Sequence, residues 1–256
     1  MEETNTSNNN TKELDITENL DIKFLDKTKF NVFRLDGHNF SKLTKQNFEK
    51  PFDKKFNDAM KKCAQVIFDE YKFQLGFVGS DEISLVYYPI PQDKIDNGCQ
   101  YPYNGKLFKL LSIMPSLISS QFTLCTGLLN SFDCRHFEYN DEETMKEYLV
   151  SRRLSVIKNS KMMLAQSYYS QNKLHGVTSN DAIKMLKEEK NIDYFDVVDE
   201  DIRRGLFLLN IKEQQNITIK YTKKNETEER VENKTVEKKK VIFEDSSDIT
   251  FEKCVL

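Results

Sequence analysis

The sequence predicts an α+β fold of split βαβ, ferredoxin-like order: an antiparallel sheet with helices on one face, then a helical C-terminal part and a polar arm. Three observations carry this. Apolar runs of strand length lie at 29–35, 73–78, 82–88 and 131–139. Two longer stretches with apolar residues at helical spacing separate the first run from the second and the third from the fourth. The second and third runs are joined only by Gly79-Ser80-Asp81, a tight turn that makes them a hairpin. The order is therefore strand, helix, hairpin, helix, strand.

Composition sets the frame. The chain has 256 residues, 38% hydrophobic and 31% charged, with a mean hydropathy of −0.63. It holds no unbroken run of eighteen or more apolar residues, so no membrane span or membrane partner is expected. Its first residues are acidic and rich in Asn and Thr, unlike a signal or transit peptide, and the expected location is cytoplasmic. Five dispersed cysteines with no C-x-x-C pair suit a reducing compartment and argue against a zinc module. With a net charge of −3, nucleic-acid binding would have to rest on a local basic patch.

Residues 1–20 lack hydrophobic periodicity and are expected to be disordered; 21–140 form the sheet domain, 141–211 a helical region and 212–256 a polar arm. The first strand ends in Asp36-Gly37, and a polar stretch with Phe40, Leu43 and Phe48 follows. Pro51 opens a helix whose core face is Phe56, Met60, Cys63, Ala64, Ile67, Phe68 and Tyr71. Pro89 and Pro91 stop the third strand, and 92–105 is a loop. The apolar 106–129 makes the second core helix, kinked or started by Pro115. A long helix covers 140–172, capped near Asn140, with Arg152, Ser155, Asn159 and Met162 on one stripe and Arg153, Lys158 and Lys161 around it. That stripe is either a solvated basic face or a contact for phosphates or RNA. Ser179 caps a shorter helix through Lys190, 205–211 is strand-like, and the tail from Lys212 is a long mobile hairpin or arm.

In this topology the end of strand one lies beside the start of strand three, so Asp36 meets Asp81 and Glu82 at one sheet edge. An Asp-Gly pair alone is usually a plain turn. Two carboxylates at one edge, beside a glycine backbone that can approach a ligand, suit magnesium, which takes one or two carboxylates and fills its other positions with water and phosphate oxygens. Two such ions would clamp an in-line phosphoryl displacement. The competing reading is a pair of acidic turns repelling each other at a solvated edge.

FRLDGHNF (33–40), FEKPFD (48–53), GFVGSDEISLVYY (76–88) and FDCR (132–135) occur in the order and rough spacing of one family. The chain resembles the tRNA-histidine guanylyltransferases and their template-dependent 3′–5′ polymerase relatives, from about residue 29 to 211, with a weaker echo at 238–251. The resemblance implies a polymerase-palm-like domain. It implies two magnesium ions held by Asp36, the Gly37 carbonyl and Asp81, with Asp36, Asp81 and Glu82 catalytic. An incoming nucleoside triphosphate, GTP or ATP among them, would be cradled by Asp36, Gly37, His38, Asn39, Phe40, Ser41, Ser80 and Asp81, with Lys50 neutralising phosphate and Asp53 near it. Arg135, Arg152, Asn159 and Lys161 would contact RNA. The implied reaction adds nucleotides to the 5′ end of tRNA, and the implied assembly is a homotetramer.

Departures from the family pattern fall in the long helix. Where members that recognise histidine tRNA carry His-Ile-Asn-Asn-Leu-Tyr-Asn, this chain has IKNSKMM (157–163), with Ile157 at the histidine position and only Asn159 kept. Ser155 replaces a usual Asp and Ser151 a usual Trp, while Arg152 is retained. His38 replaces a basic residue and keeps its backbone N–H as a donor. The broader, template-dependent 5′-end repair branch is therefore favoured over guanosine addition to histidine tRNA. A catalytically silent RNA-binding palm would show RNA binding without magnesium-dependent incorporation. A palm-like nucleotide cyclase would give cyclic product from triphosphates alone.

Overall fold

The computed structural model describes residues 23–221 and 230–244, so the segment 1–20 expected to be disordered and the chain beyond 244 lie outside the described residues. The elements run β1 (Phe30–Gly37), α1 (Phe40–Asn47), α2 (Lys54–Tyr71), β2 (Leu75–Gly79), β3 (Glu82–Tyr87), α3 (Gln92–Asp96), α4 (Leu107–Thr126), β4 (Phe132–Tyr139), α5 (Glu142–Gln166), α6 (Ser179–Lys190), α7 (Tyr194–Val197), α8 (Glu200–Arg204), β5 (Leu206–Tyr221) and β6 (Arg230–Glu244). The sheet order is β4-β1-β3-β2-β5-β6 with every neighbouring pair antiparallel, so the split βαβ unit is present with β3 between β1 and β2.

Period-two alternation gives β1, β2 and β3 two buried faces, while the edge strand β4 is mostly half-buried or exposed. Phe33, Leu35, Ile83, Leu85 and Tyr87 join Met60, Ile67 and Phe68 of α2 and Leu110, Met114, Ile118 and Phe122 of α4 in one core. Phe30, Val32, Leu75, Phe77 and Val86 face the other way, against Met145, Leu149 and Val156 of α5. The two helices of the βαβ unit thus lie on one face as expected, and α5 closes the other. By length and composition α4 could cross a bilayer. Its buried stripe instead packs into the core, where four fully buried side chains (Leu110, Met114, Ile118, Phe122) contribute at most roughly 6–12 kcal/mol.

Several local expectations change. The polar stretch after Gly37 is helix α1, which buries only Phe40 and has no side-chain cap, so it carries little sequence signal. Pro51 does not open a helix: α2 begins at Lys54 because Asp53 is its N-cap, accepting the Phe56 N–H at 3.0 Å. The loop at 92–105 contains α3 and a 3-10 turn at Pro102–Gly105. Pro115 lies inside α4, not at its start. The long helix spans Glu142–Gln166, capped by Asp141, whose carboxylate accepts the Thr144 N–H at 2.8 Å. Thr178, not Ser179, caps α6 through the Asp181 N–H. The polar stretch from 212 continues β5, which pairs with β6 from Phe207↔Glu244 to Tyr221↔Arg230.

Beyond the sheet, the end of α5, α6 and α7 build a third small core of Leu164, Ala165, Tyr169, Ala182, Leu186 and Tyr194. Asp201 on α8 meets Asn57 and Lys61 of α2, tying this part back to the sheet domain.

Candidate active site

The β1–β3 register pairs Asp36 with Glu82, and the β1–β4 register pairs Asp36 with Asp133. Residues paired across strands project to the same face, so Asp133, Asp36 and Glu82 form one row of carboxylates across three strands. Asp81 joins them through the hairpin: Ser80, with φ at +56°, is the left-handed residue of the two-residue turn, and the Gly37 N–H donates to the Asp81 carbonyl at 3.1 Å. The two acidic turns therefore meet, as the topology requires. Burial, then the charges of Asp81, Glu82 and Asp133, push the Asp36 carboxyl above its ordinary range, with Arg34 opposing. Like charges facing one another are unfavourable, and a cation would relieve the cluster.

Among the described residues no three His, Cys, Asp or Glu side chains are grouped to hold a metal on their own. The donor set is two carboxylates, Asp36 and Asp81, with the neighbouring Gly37 backbone. That set fits magnesium, which leaves its remaining positions to water and phosphate, and does not fit an enclosed zinc site. Glu82 is differently placed. It is 8% exposed, and both its oxygens are taken by Arg152 of α5, Nε to Oε1 at 2.7 Å and Nη2 to Oε2 at 2.6 Å. Arg152 thus points at the sheet, not out to RNA, because the buried carboxylate is its nearest anion.

A cleft of about 1010 Å³ opens between this edge, α1, the start of α2 and the second half of α5. Ser41, Lys50, Asp53, Ser80, Asp81 and Asn159 all line it. Lys50 donates to Thr44 Oγ1 at 2.9 Å, and burial lowers its pKa. Burial raises the Asp53 carboxyl, but backbone N–H donors from Glu49, Phe56 and Lys55 outweigh it and hold it below the usual range. Asp53 accepts the Glu49 N–H at 2.8 Å as well as capping α2, so it fixes the loop that carries Lys50.

Three details of the nucleotide loop differ from expectation. The His38 N–H is not free to donate to a ligand: it donates to the Ser131 carbonyl at 2.8 Å. Its ring lies 2.8 Å from the Asn39 amide. A Cβ on Gly37 would come within 2.3 Å of the Phe40 ring, so the glycine also makes room for Phe40. Phe40 is itself core, its ring packed on Phe56, Phe122 and Phe132, and it also borders the cleft.

Of the expected RNA contacts, Asn159 is exposed in the cleft wall. Lys161 donates to Asn180 Oδ1 at 2.8 Å, bridging α5 to α6. Arg135 is exposed on β4 with Asp133 at 3.4 Å. Sequence reasoning missed Asp133, although FDCR was in view; the signal that finds it is strand alternation combined with the β1–β4 register. Arg34 was missed too, and stands behind Asp36 with its guanidinium 5.5 Å from the Phe137 ring centre.

Residues 12–182 match the family described as tRNAHis guanylyltransferase. Protein R259 of Acanthamoeba polyphaga mimivirus, itself uncharacterized, is 28% identical over 184 residues, covering 62% of this chain and 63% of its own length. The probable tRNA(His) guanylyltransferase of Homo sapiens is 28% identical over 184 residues, 64% of this chain and 59% of its own length. The chain spans about three fifths of the length of these curated relatives. A bacterial tRNA(His) guanylyltransferase-like protein, solved in complex with ATP, superposes with a TM-score of 0.70 at 25% identity, covering 77% of this chain and 87% of its own. The tRNA(His) guanylyltransferase of Saccharomyces cerevisiae gives 0.63 at 23% identity over 75% of this chain and 90% of its own, a likeness of fold. The match covers β1, the acidic hairpin and α5 together, and the chain belongs to the tRNAHis guanylyltransferase family.

Proposed function

We propose that this protein is a magnesium-dependent nucleotidyltransferase that adds nucleotides in the 3′–5′ direction to the 5′ end of a tRNA, selecting them against a template strand. The observation that carries the reading is the meeting of Asp36 and Asp81 at one sheet edge, where Asp81 and Ser80, but not Asp36, line the cleft. Asp36, the Gly37 carbonyl and Asp81 would hold two magnesium ions. When bound, these supply positive charge to the attacking and leaving oxygens and to a nucleotide's phosphates.

The chain's own groups do the rest. Lys50 and the first turn of α1 at Ser41 face the cleft where a triphosphate would lie, the helix N-terminus adding partial positive charge. Asp53 holds the Lys50 loop in place. The 3′-hydroxyl of the incoming nucleotide attacks the phosphorus of an activated 5′ end, and a new phosphodiester forms. The hydroxyl proton is lost, and AMP or pyrophosphate leaves according to whether the end was adenylylated or a triphosphate. Orientation and electrostatics, not covalent catalysis, are what the site offers. A homotetramer, as the resemblance implies, would let RNA reach from one copy to another.

The test uses a 5′-truncated tRNA, labelled triphosphates and each of the four bases at the templating position. Additions that follow the opposite base, lost in Asp36→Asn and Asp81→Asn, support templated repair. Guanosine added whatever the template supports guanosine addition to histidine tRNA instead. RNA binding with no magnesium-dependent incorporation would overturn the enzymatic reading.

A further inference from the structure

We propose that Arg152 is a positioning residue: its two-pronged grip keeps Glu82 off the cation held at Asp36 and Asp81, and thereby sets the hairpin's working geometry. This rests on the magnesium reading of that site. Glu82 follows Asp81 directly and stands opposite Asp36 in register, so it is a third carboxylate beside the same charge. Nothing about its sequence position prevents it from ligating. What prevents it is a helix 70 residues away: Nε and Nη2 of Arg152 occupy both oxygens at 2.7 and 2.6 Å, and Ser84 Oγ adds a bond to Oε1 at 3.3 Å. Ser84 Oγ in turn lies 3.1 Å from Tyr148 OH, one helical turn before Arg152.

The lock has three physical consequences. A guanidinium fork fixes both the position and the plane of a carboxylate, which a lysine ammonium cannot do. Magnesium accepts one or two carboxylates and needs its remaining positions for water and phosphate, so a third carboxylate would displace them. Because Glu82 and Asp81 are adjacent, a Glu82 drawn toward the ion would carry the turn with it. Removing Arg152 should therefore tighten cation binding while slowing the reaction. A residue with a merely structural role would do the reverse to the cation.

The experiment titrates manganese as a paramagnetic probe into the full chain without nucleotide, and measures kcat and KM for GTP on a 5′-truncated tRNA. In Arg152→Gln, manganese binding should tighten by about tenfold as Glu82 joins the ion. There kcat should fall by about 10–100-fold, with KM for GTP moving by less than about threefold. Adding Glu82→Gln to that variant should return manganese affinity to the wild-type value. Arg152→Lys, which keeps charge and loses the fork, should behave like Arg152→Gln. Unchanged or weaker manganese binding in Arg152→Gln overturns the proposal. So does Glu82→Gln weakening that binding as much as Asp81→Asn, and this comparison decides alone if Arg152→Gln does not keep the wild-type melting curve. A wild-type chain that binds no manganese overturns the functional reading and this inference with it. Wild-type binding with an unresponsive Arg152→Gln overturns this inference only.

Discussion

The seat of α5 on the acidic hairpin can be tested at one contact. An ideal Cβ on Gly79 would lie 2.6 Å from Val156 Cγ2, with Phe77 Cζ at 3.3 Å. Carbon atoms prefer about 3.5–4.0 Å, so Gly79→Ala forces an overlap of about 1 Å. Gly79 does not occupy the left-handed region, so the cost is contact and not backbone strain. Overpacking of this kind costs about 1–3 kcal/mol. At about 2 kcal/mol, a chain of this size should melt roughly 4–8 °C lower. Val156 is 7% exposed, and Val156→Ala alone removes two buried methyl groups, about 1.6 kcal/mol before any cavity cost. The double variant should lose less than the two singles together, by about 1 kcal/mol or more, since the shortened side chain on α5 leaves room for the new methyl. Residual strain against Phe77 should keep it below wild type. Urea unfolding of the four proteins measures the cycle. Losses that add within about 0.5 kcal/mol would refute the claim that α5 is pressed onto the hairpin at this contact.

Two further outcomes follow from side chains next to the site. Asp53→Ala leaves the Glu49 and Phe56 N–H groups without their carboxylate acceptor and should destabilise by about 1–2 kcal/mol, with Asp53→Asn recovering part; thermal melts check both. Burial lowers the His136 pKa from 6.5 to about 4, Glu138 opposing and Lys23 adding, and its Nε2 lies 2.9 Å from Asn31 Oδ1. The unfolded chain takes up that proton near 6.5 and the folded chain only near 4. Stability should therefore fall as pH drops through that window, by at most about 1.4 kcal/mol per pH unit, and His136→Gln should flatten the slope in urea titrations.

The sheet was legible because β1, β2 and β3 are buried on both sides and read as largely apolar runs, and because Gly79-Ser80-Asp81 allows no connection but a hairpin. The meeting of Asp36 with Asp81 followed from topology alone. What escaped the sequence was decided across strands or between distant elements. Asp133 enters the carboxylate row only through a register set by backbone pairing, and Arg152 finds Glu82 across 70 residues. Helix α1 escaped for the opposite reason: one buried residue, an uncapped start and a left-handed Asn39 leave almost no local signature. His38 misled because a free N–H was inferred where Ser131, in the approach to β4, already accepts it.

The arrangement of α5 separates residues that hold the acidic hairpin from residues that face away from it. Tyr148, Arg152, Val156 and Ser160 recur every fourth residue and all point inward: Tyr148 to Ser84, Arg152 to Glu82, Val156 to the space over Gly79, Ser160 to Tyr194. Substitution at Tyr148, Arg152 or Val156 would disturb the hairpin that carries Asp81. Of the departures from the family pattern, Ser151, Ser155 and Ile157 fall between those positions, whereas Ser160, where an Asn is usual, falls on the stripe; Arg152 is retained. Ser151 is exposed, and Ser155 bonds back to the Ser151 carbonyl at 3.0 Å. Residues off the stripe can therefore be exchanged without moving the carboxylates. Swapping them toward the histidine-tRNA pattern should change which RNA is extended before it changes the rate on a bound end. A swap at Ser151, Ser155 and Ile157 that lowered kcat on every RNA alike, with no change in preference, would place specificity outside this helix.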